Sequence, residues 1–212
     1  MGIENIKKLN LFFKNKFEKS INFKLNKKNI LVTFHPVTLE NNTSKKQFQE
    51  LLNAIDELDD TNIIFTKSNS DLNGRIINQM INSYTKKNKK KCIGLTSLGQ
   101  LRYLSALLYV DAVVGNSSSG LIEAPNFKIG TINIGERQKG RVRAKSVIDC
   151  LPEKKNILKS LEKIYSKNFQ KKLSTVKNPY DNGLSSKKIV NVLKNFKLQN
   201  ILKKSFYNIK LT

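Results

Sequence analysis

The side chains best equipped for chemistry lie in one stretch, residues 110–148, VDAVVGNSSSGLIEAPNFKIGTINIGERQKGRVRAKSVI. Ala112, Val113 and Val114 read as a buried strand, and residues 115–120 as a tight turn of small hydrogen-bonding residues. A helix beginning in the serines then carries Glu123 on its early turns. A strand, a small-residue turn and a helix N-terminus bring unpaired backbone N–H groups and the positive end of the helix dipole to one spot. With the hydroxyls of Ser118 and Ser119 and the bare backbone of Gly120, the turn reads as a phosphate cradle. The second apolar run, 131–134, delivers Gly135, Arg137, Arg141 and Arg143 to a loop that could close over the same anion. Guanidinium suits that work, because its planar fork pairs with phosphate through two parallel hydrogen bonds.

Each of these residues also has a plainer explanation. GNSSSG matches neither the GxGxxG dinucleotide fingerprint nor a P-loop, and a serine run before a helix is commonly just an N-cap. Glu123 reads either as an acceptor for the vicinal hydroxyls of a ribose or as an acid placed near a helix start by the dipole. His35, the sole histidine, closes a strand in TFHPVT. There it could bond a diphosphate or protonate it as it leaves, or it could be structural. Asn69 and Asp71 fall in a polar loop where these residue types also favour turns.

The elements that must position these groups alternate. Strands are expected at 30–34, 62–66, 92–95, 112–114, 131–134 and 147–150. Helices are expected at 44–58, 75–84, 98–109 (capped by Ser97) and 153–165, with an amphipathic helix around Ile189, Val190, Val192 and Leu193. In the first of these, Phe48, Leu51, Leu52, Ile55 and Leu58 share a face. Such alternation predicts a doubly wound α/β domain, a parallel sheet covered on both faces. Ligands of that architecture bind beyond the carboxyl ends of the strands, where the polar loops converge. Residues 1–29 read as a lead-in segment, 30–196 as the domain, and 197–212 as a basic tail.

The chain has 212 residues, and its 39 Lys and Arg against 16 Asp and Glu give a formal net charge of +23. Lysines spread over helix faces, with no zinc-ligand spacing, arginine run or aromatic-glycine motif, speak against specific nucleic-acid binding. Cys92 and Cys150 form no CxxC pair and read as reduced, buried thiols, which suits the cytoplasm. The N-terminus carries no apolar run of signal or membrane-span length, and Ile6 spoils a myristoylation motif.

The stretches ILVTFHPVTLE, FTKSNSDLNGR, SLGQLRYLSALLYVDAVVGNSSSGLIEAP, TINIGERQKGR and NPYDNG together resemble the UDP-N-acetylglucosamine 2-epimerase family, especially its hydrolysing branch. The resemblance implies a Rossmann-like domain equivalent to the C-terminal half of a two-domain GT-B-type fold. It further implies that Ser118, Ser119 and the turn through Gly120 hold the diphosphate of UDP and that Glu123 holds the ribose. Arg137, with Arg141 near it, would contact phosphate, Asn69 would line the cleft, and His35 would sit beside the diphosphate as the catalytic residue. The implied chemistry is elimination of UDP from the sugar to a 2-acetamidoglucal, then addition of water with inversion, giving N-acetylmannosamine for sialic-acid-type sugars. It needs no metal or other cofactor. The carboxylates that move protons at the sugar belong, in that family, largely to the N-terminal domain. The expectation is therefore the UDP-binding half from a truncated or split gene, weakly active or inactive alone. A separate chain supplying the other half and a homo-oligomer both remain open. Two other readings are a non-catalytic nucleotide-sugar-binding remnant and the C-terminal domain of a UDP-sugar glycosyltransferase.

Overall fold

The structure is a computed structural model, described here for residues 3–37, 43–69, 72–183 and 185–199. Asp71, part of the loop after the first strand (38–42) and residues 200–212 of the tail lie outside the described residues. Six strands form one sheet: β1 (Lys28–Thr33), β2 (Thr61–Thr66), β3 (Cys92–Leu95), β4 (Ala112–Gly115), β5 (Gly130–Ile134) and β6 (Val147–Cys150). Their order is β3-β2-β1-β4-β5-β6, every pairing parallel. The chain leaves β1 in one direction, then crosses back to start β4 on its other side, so the switch point lies between β1 and β4.

The apolar runs explain the two-sided cover. Ile30, Val32, Ile63, Phe65, Ala112, Val114, Ile132 and Ile134 face one layer, with Phe48, Leu51 and Ile55 of α3 (Ser44–Asp56) and Ile77 and Ile81 of α4 (Leu72–Lys87). The same layer takes Ile157, Leu161 and Ile164 of α7 (Lys154–Tyr165) and Phe169 of α8 (Lys167–Ser174). Leu31, Ile64 and Val113 face the other way, onto Leu104 of α5 (Gly99–Ala106) and onto Phe17 and Ile21 of α2 (Lys14–Ile21). Phe17 is fully buried and stacks on Tyr109 at 5.9 Å, so the lead-in segment covers part of the second face. A short α1 (Glu4–Lys8) precedes it, and α9 (Ser185–Asn195) is the last described helix. Both cysteines are free; Cys92 is buried and Cys150 half-buried.

The doubly wound architecture is as expected, and the differences lie at element ends. The helix expected at 75–84 runs from Leu72 to Lys87, and the one expected at 98–109 is Gly99–Ala106, with Ser97 Oγ accepting the Gly99 N–H at 3.0 Å. Helices α1, α2 and α8 lie where no helix was expected. The largest correction concerns the serines. The helix there, α6, is a single turn, Ser119–Ile122, followed by the 3₁₀ helix Ala124–Phe127. Pro125 has no N–H to continue the ladder and biases Ala124 away from helical geometry, so the turn cannot propagate. Glu123 therefore stands after the last residue of α6, and its N–H closes the turn on Ser119 O at 2.8 Å. An acid at that end gains nothing from the dipole of α6, and although Glu123 also stands at the N-cap of the 3₁₀ helix its carboxylate makes no capping bond there.

Candidate functional site

At the carboxyl ends of β1, β2, β3 and β4 lies a cavity of about 710 Å³. His35, Asn69, Ser119 and Glu123 all line it, drawn from three different loops. Ser118 and Gly120 flank Ser119 without lining it. Ser118 precedes the first residue of α6, and Gly120 lets that turn press on β5, since a Cβ there would sit 2.6 Å from the Thr131 methyl. Arg137 and Arg141 stand in the loop after β5, exposed and outside the lining. Arg137 is nonetheless anchored to the site, its Nη1 donating to Asn116 O at 3.1 Å, whereas the Arg141 N–H turns back to Gln138 O at 3.3 Å.

The joint between β1 and β4 is built on Gly115 and Asn116. Gly115 has φ +133°, and a Cβ there would stand 1.9 Å from Thr33 O, so only glycine allows the two strands to meet so closely. One residue later the Asn116 N–H donates to Thr33 O at 3.1 Å. Its side-chain amide then continues the ladder past its end: Nδ2 donates to His35 O and Oδ1 accepts from His35 N, both at 2.7 Å. Its carbonyl takes Arg137 and also Gln138 Nε2, at 2.8 Å. Asn116 is 1% exposed, so these bonds form where water cannot compete.

His35 is also held from its ring. Nδ1 lies 3.2 Å from Ser68 Oγ, and the loop carrying Ser68 is clamped to α4 by Asn78, which accepts from Ser68 N at 2.8 Å and donates to Ser68 O at 3.2 Å. Beneath them Thr33 Oγ1 and Thr66 Oγ1 pair at 2.5 Å. On the opposite wall Ser119 Oγ sits 2.5 Å from Tyr103 OH and 3.1 Å from Ser117 Oγ. Burial raises the pKa of Glu123 above its ordinary value and pushes that of Tyr103 far up, so the phenol keeps its proton. Lys67 adds a cation to the lining, while Ile3, just before α1, and Ile6 within it close one side. Among the described residues no three His, Cys, Asp or Glu side chains gather as a metal-binding set.

Sequence reasoning passed over Asn116, Ser117, Ser68, Lys67 and Tyr103. A polar residue directly after a buried strand was the available signal for Asn116 and Lys67. Tyr103 sits inside an apolar helical run, where periodicity does not separate a core aromatic from one facing a cavity.

The family model described as UDP-N-acetylglucosamine 2-epimerase matches residues 1–194. A relative from Campylobacter jejuni named GDP/UDP-N,N'-diacetylbacillosamine 2-epimerase (hydrolyzing) is 42% identical over 205 residues, 96% of this chain and 53% of its own length. The polysialic acid biosynthesis protein P7 of Escherichia coli is 38% identical over 212 residues, 99% of this chain and 53% of its own. The chain thus spans about half the length of the curated relatives it matches. In fold it is similar to the Methanocaldococcus jannaschii UDP-GlcNAc 2-epimerase solved with UDP-GlcNAc and UDP, with TM-score 0.65, 22% identity, and coverage of 91% of this chain and 51% of that one. It is also similar to the C-terminal domain of a Francisella tularensis group 1 glycosyl transferase, with TM-score 0.52, 13% identity, and coverage of 88% and 94%. The second likeness bears on the fold alone, a layout common to both kinds of protein, while the extent of the sequence matches decides between them: the chain belongs to the UDP-N-acetylglucosamine 2-epimerase family.

Proposed function

We propose that this chain is the UDP-holding half of a hydrolysing UDP-sugar 2-epimerase. The observation that carries the reading is that His35, Asn69, Ser119 and Glu123, far apart in sequence, line one cavity at the carboxyl end of the sheet. The diphosphate lies against the turn of Ser117, Ser118 and Ser119, with Gly120 behind it. Glu123 accepts hydrogen bonds from the ribose hydroxyls, Asn69 borders the opposite wall, and Arg137 approaches the phosphates from its anchor on Asn116. Arg141 is a rim charge that reaches the ligand only if its loop closes.

In the reaction the anomeric C–O bond breaks as a proton leaves the adjacent sugar carbon, and water then adds across the resulting double bond. The net change is UDP-sugar plus water to free 2-epimeric sugar plus UDP. His35, fixed through both its backbone and Nδ1, supplies a proton or hydrogen bond to the departing diphosphate. The groups acting on the sugar carbons come from the half of the protein absent here, as a separate chain or as part of a longer one. No cofactor enters, and the cytoplasm, where nucleotide sugars are made and used, is the proposed location. No helix among the described residues is long and apolar enough to cross a membrane.

Calorimetry with UDP, CDP and ADP tests the binding half of the reading, and equal affinities would count against it. To test the chemistry, the chain is mixed with the half of the Campylobacter jejuni relative that it does not match. UDP release is then followed from UDP-GlcNAc and from UDP-N,N'-diacetylbacillosamine, the sugar in that relative's name. Release that stays intact in His35→Ala would remove His35 from the mechanism.

A further inference from the structure

We infer that Tyr103 is a positioning residue for the bound anion, acting through Ser119 to aim the hydroxyl of Ser117; the inference rests on the phosphate-binding reading of this cavity. Three hydroxyls stand in line along the wall: Tyr103 OH, Ser119 Oγ at 2.5 Å from it, and Ser117 Oγ at 3.1 Å from Ser119. All three residues line the cavity. Each hydroxyl has one hydrogen, so the direction of the chain is set at its ends. Burial keeps the phenol protonated, and its hydroxyl makes this one hydrogen bond.

When an anion occupies the turn, the ordered arrangement runs Tyr103 to Ser119, Ser119 to Ser117, and Ser117 to the anion, every oxygen donating onward. Chains of this kind polarise each link, so the last donor is stronger than a lone serine. Without the phenol, Ser119 has no donor behind it. Its hydroxyl is then free to turn away, leaving Ser117 Oγ with only the long 3.4 Å hydrogen bond from the Ser119 N–H, which fixes no hydroxyl proton. The other hydrogen-bonded tyrosines use their hydroxyls elsewhere: Tyr84 on Asp56, Tyr109 on Phe12 O, Tyr165 on Asp111 and Tyr180 on Val142 O. None of those four lines the cavity.

The test measures affinities of the purified chain for UDP, inorganic pyrophosphate and uridine. Tyr103→Phe keeps the ring and removes only the hydroxyl. It is expected to weaken UDP and pyrophosphate about fivefold to tenfold while leaving uridine within about twofold, as loss of one link to a charged acceptor would. Ser119→Ala should produce a similar loss, and the double variant should be no worse than Ser119→Ala alone, because both changes cut the same chain. Replacing Tyr103 with 4-aminophenylalanine restores an N–H donor and should recover most of the loss; it also serves should Tyr103→Phe fail to fold. A parallel fall in uridine affinity, additive losses or an unchanged pyrophosphate affinity would each overturn the inference. If wild type shows no preference for UDP over ADP but Tyr103→Phe still lowers pyrophosphate affinity, the functional reading falls and the positioning role stands. A wild-type chain that binds neither UDP nor pyrophosphate overturns both.

Discussion

The loops after β4 and β5 sit side by side at the same end of the sheet, and both look in the sequence like anion binders. The first is built into the protein: Asn116 is buried, joined to β1 through Thr33 and His35, and receives two side chains from its neighbour. The second carries Arg137, Arg141 and Arg143 on its surface, Arg143 paired with Asp149 at 3.1 Å, and meets the first where Arg137 and Gln138 reach the Asn116 carbonyl. A site of this kind gets its rigidity from small residues packed against strand ends. Arg137 and Arg141, which would supply charge under the proposed reading, stand outside that frame.

The sharpest way to break the contrast is Gly115→Ala. Its Cβ would collide with the backbone of β1 in a conformation L residues avoid, so the expected outcome is loss of about 3 kcal/mol or more and little soluble protein, read by thermal melting. Asn116→Ala should follow at about 2–4 kcal/mol, since it strips both partners from the His35 backbone in a buried setting. Melting unchanged from wild type would show that the β4 loop is not the frame claimed here.

Glu123→Gln sharpens the same comparison through pH. Burial raises the folded pKa of Glu123 above its ordinary 4.5, so the carboxyl favours folding below that value and this contribution is lost as pH rises through the folded one. The Gln variant should therefore melt above wild type at pH 7 and match it near pH 4. Uridine affinity should fall in wild type as pH drops through that raised value and show no such change in Glu123→Gln. Arg137→Ala is expected to weaken UDP about threefold to tenfold with little change in melting. Arg141→Ala should alter either by less than about twofold, as exposed charges usually do. An Arg141 effect as large as that of Arg137 would mean the β5 loop closes over the ligand.

Much of the fold was legible because buried parallel strands write themselves as short runs such as ILV and AVV, and because helix faces such as Phe48, Leu51, Leu52 and Ile55 repeat at helical spacing. Less legible was what each face meets. Helices α7 and α9 are both lysine-rich and amphipathic, yet α7 buries Ile157, Leu161 and Ile164 against the sheet. Ile189, Val190, Val192 and Leu193 of α9 are all roughly half exposed or more. Periodicity records that a helix has an apolar side and is silent on its cover. The site divides similarly. His35, Asn69, Ser119 and Glu123 follow strand ends and could be placed by rule. Ser68 and Tyr103 reach His35 and Ser119 through hydroxyl contacts between elements, which no local pattern encodes. The serine helix was overestimated because the weight of Pro125 in stopping it was missed.

The central place of β1 also sets an order of events in time. It can pair with β2 as soon as α3 has formed between them, since Lys28 aligns with Thr61. Its other edge waits for β4, where Ile30 aligns with Ala112 across more than a third of the chain. During synthesis that edge stays open while β2, α4, β3 and α5 are made, and pairings this distant in sequence close slowly. The Asn116 clasp forms only after both strands are seated. The loops after β1 and β4 are thus joined only once about half of the chain has been made, and a chaperone that shields β1 would find its moment before β4 arrives.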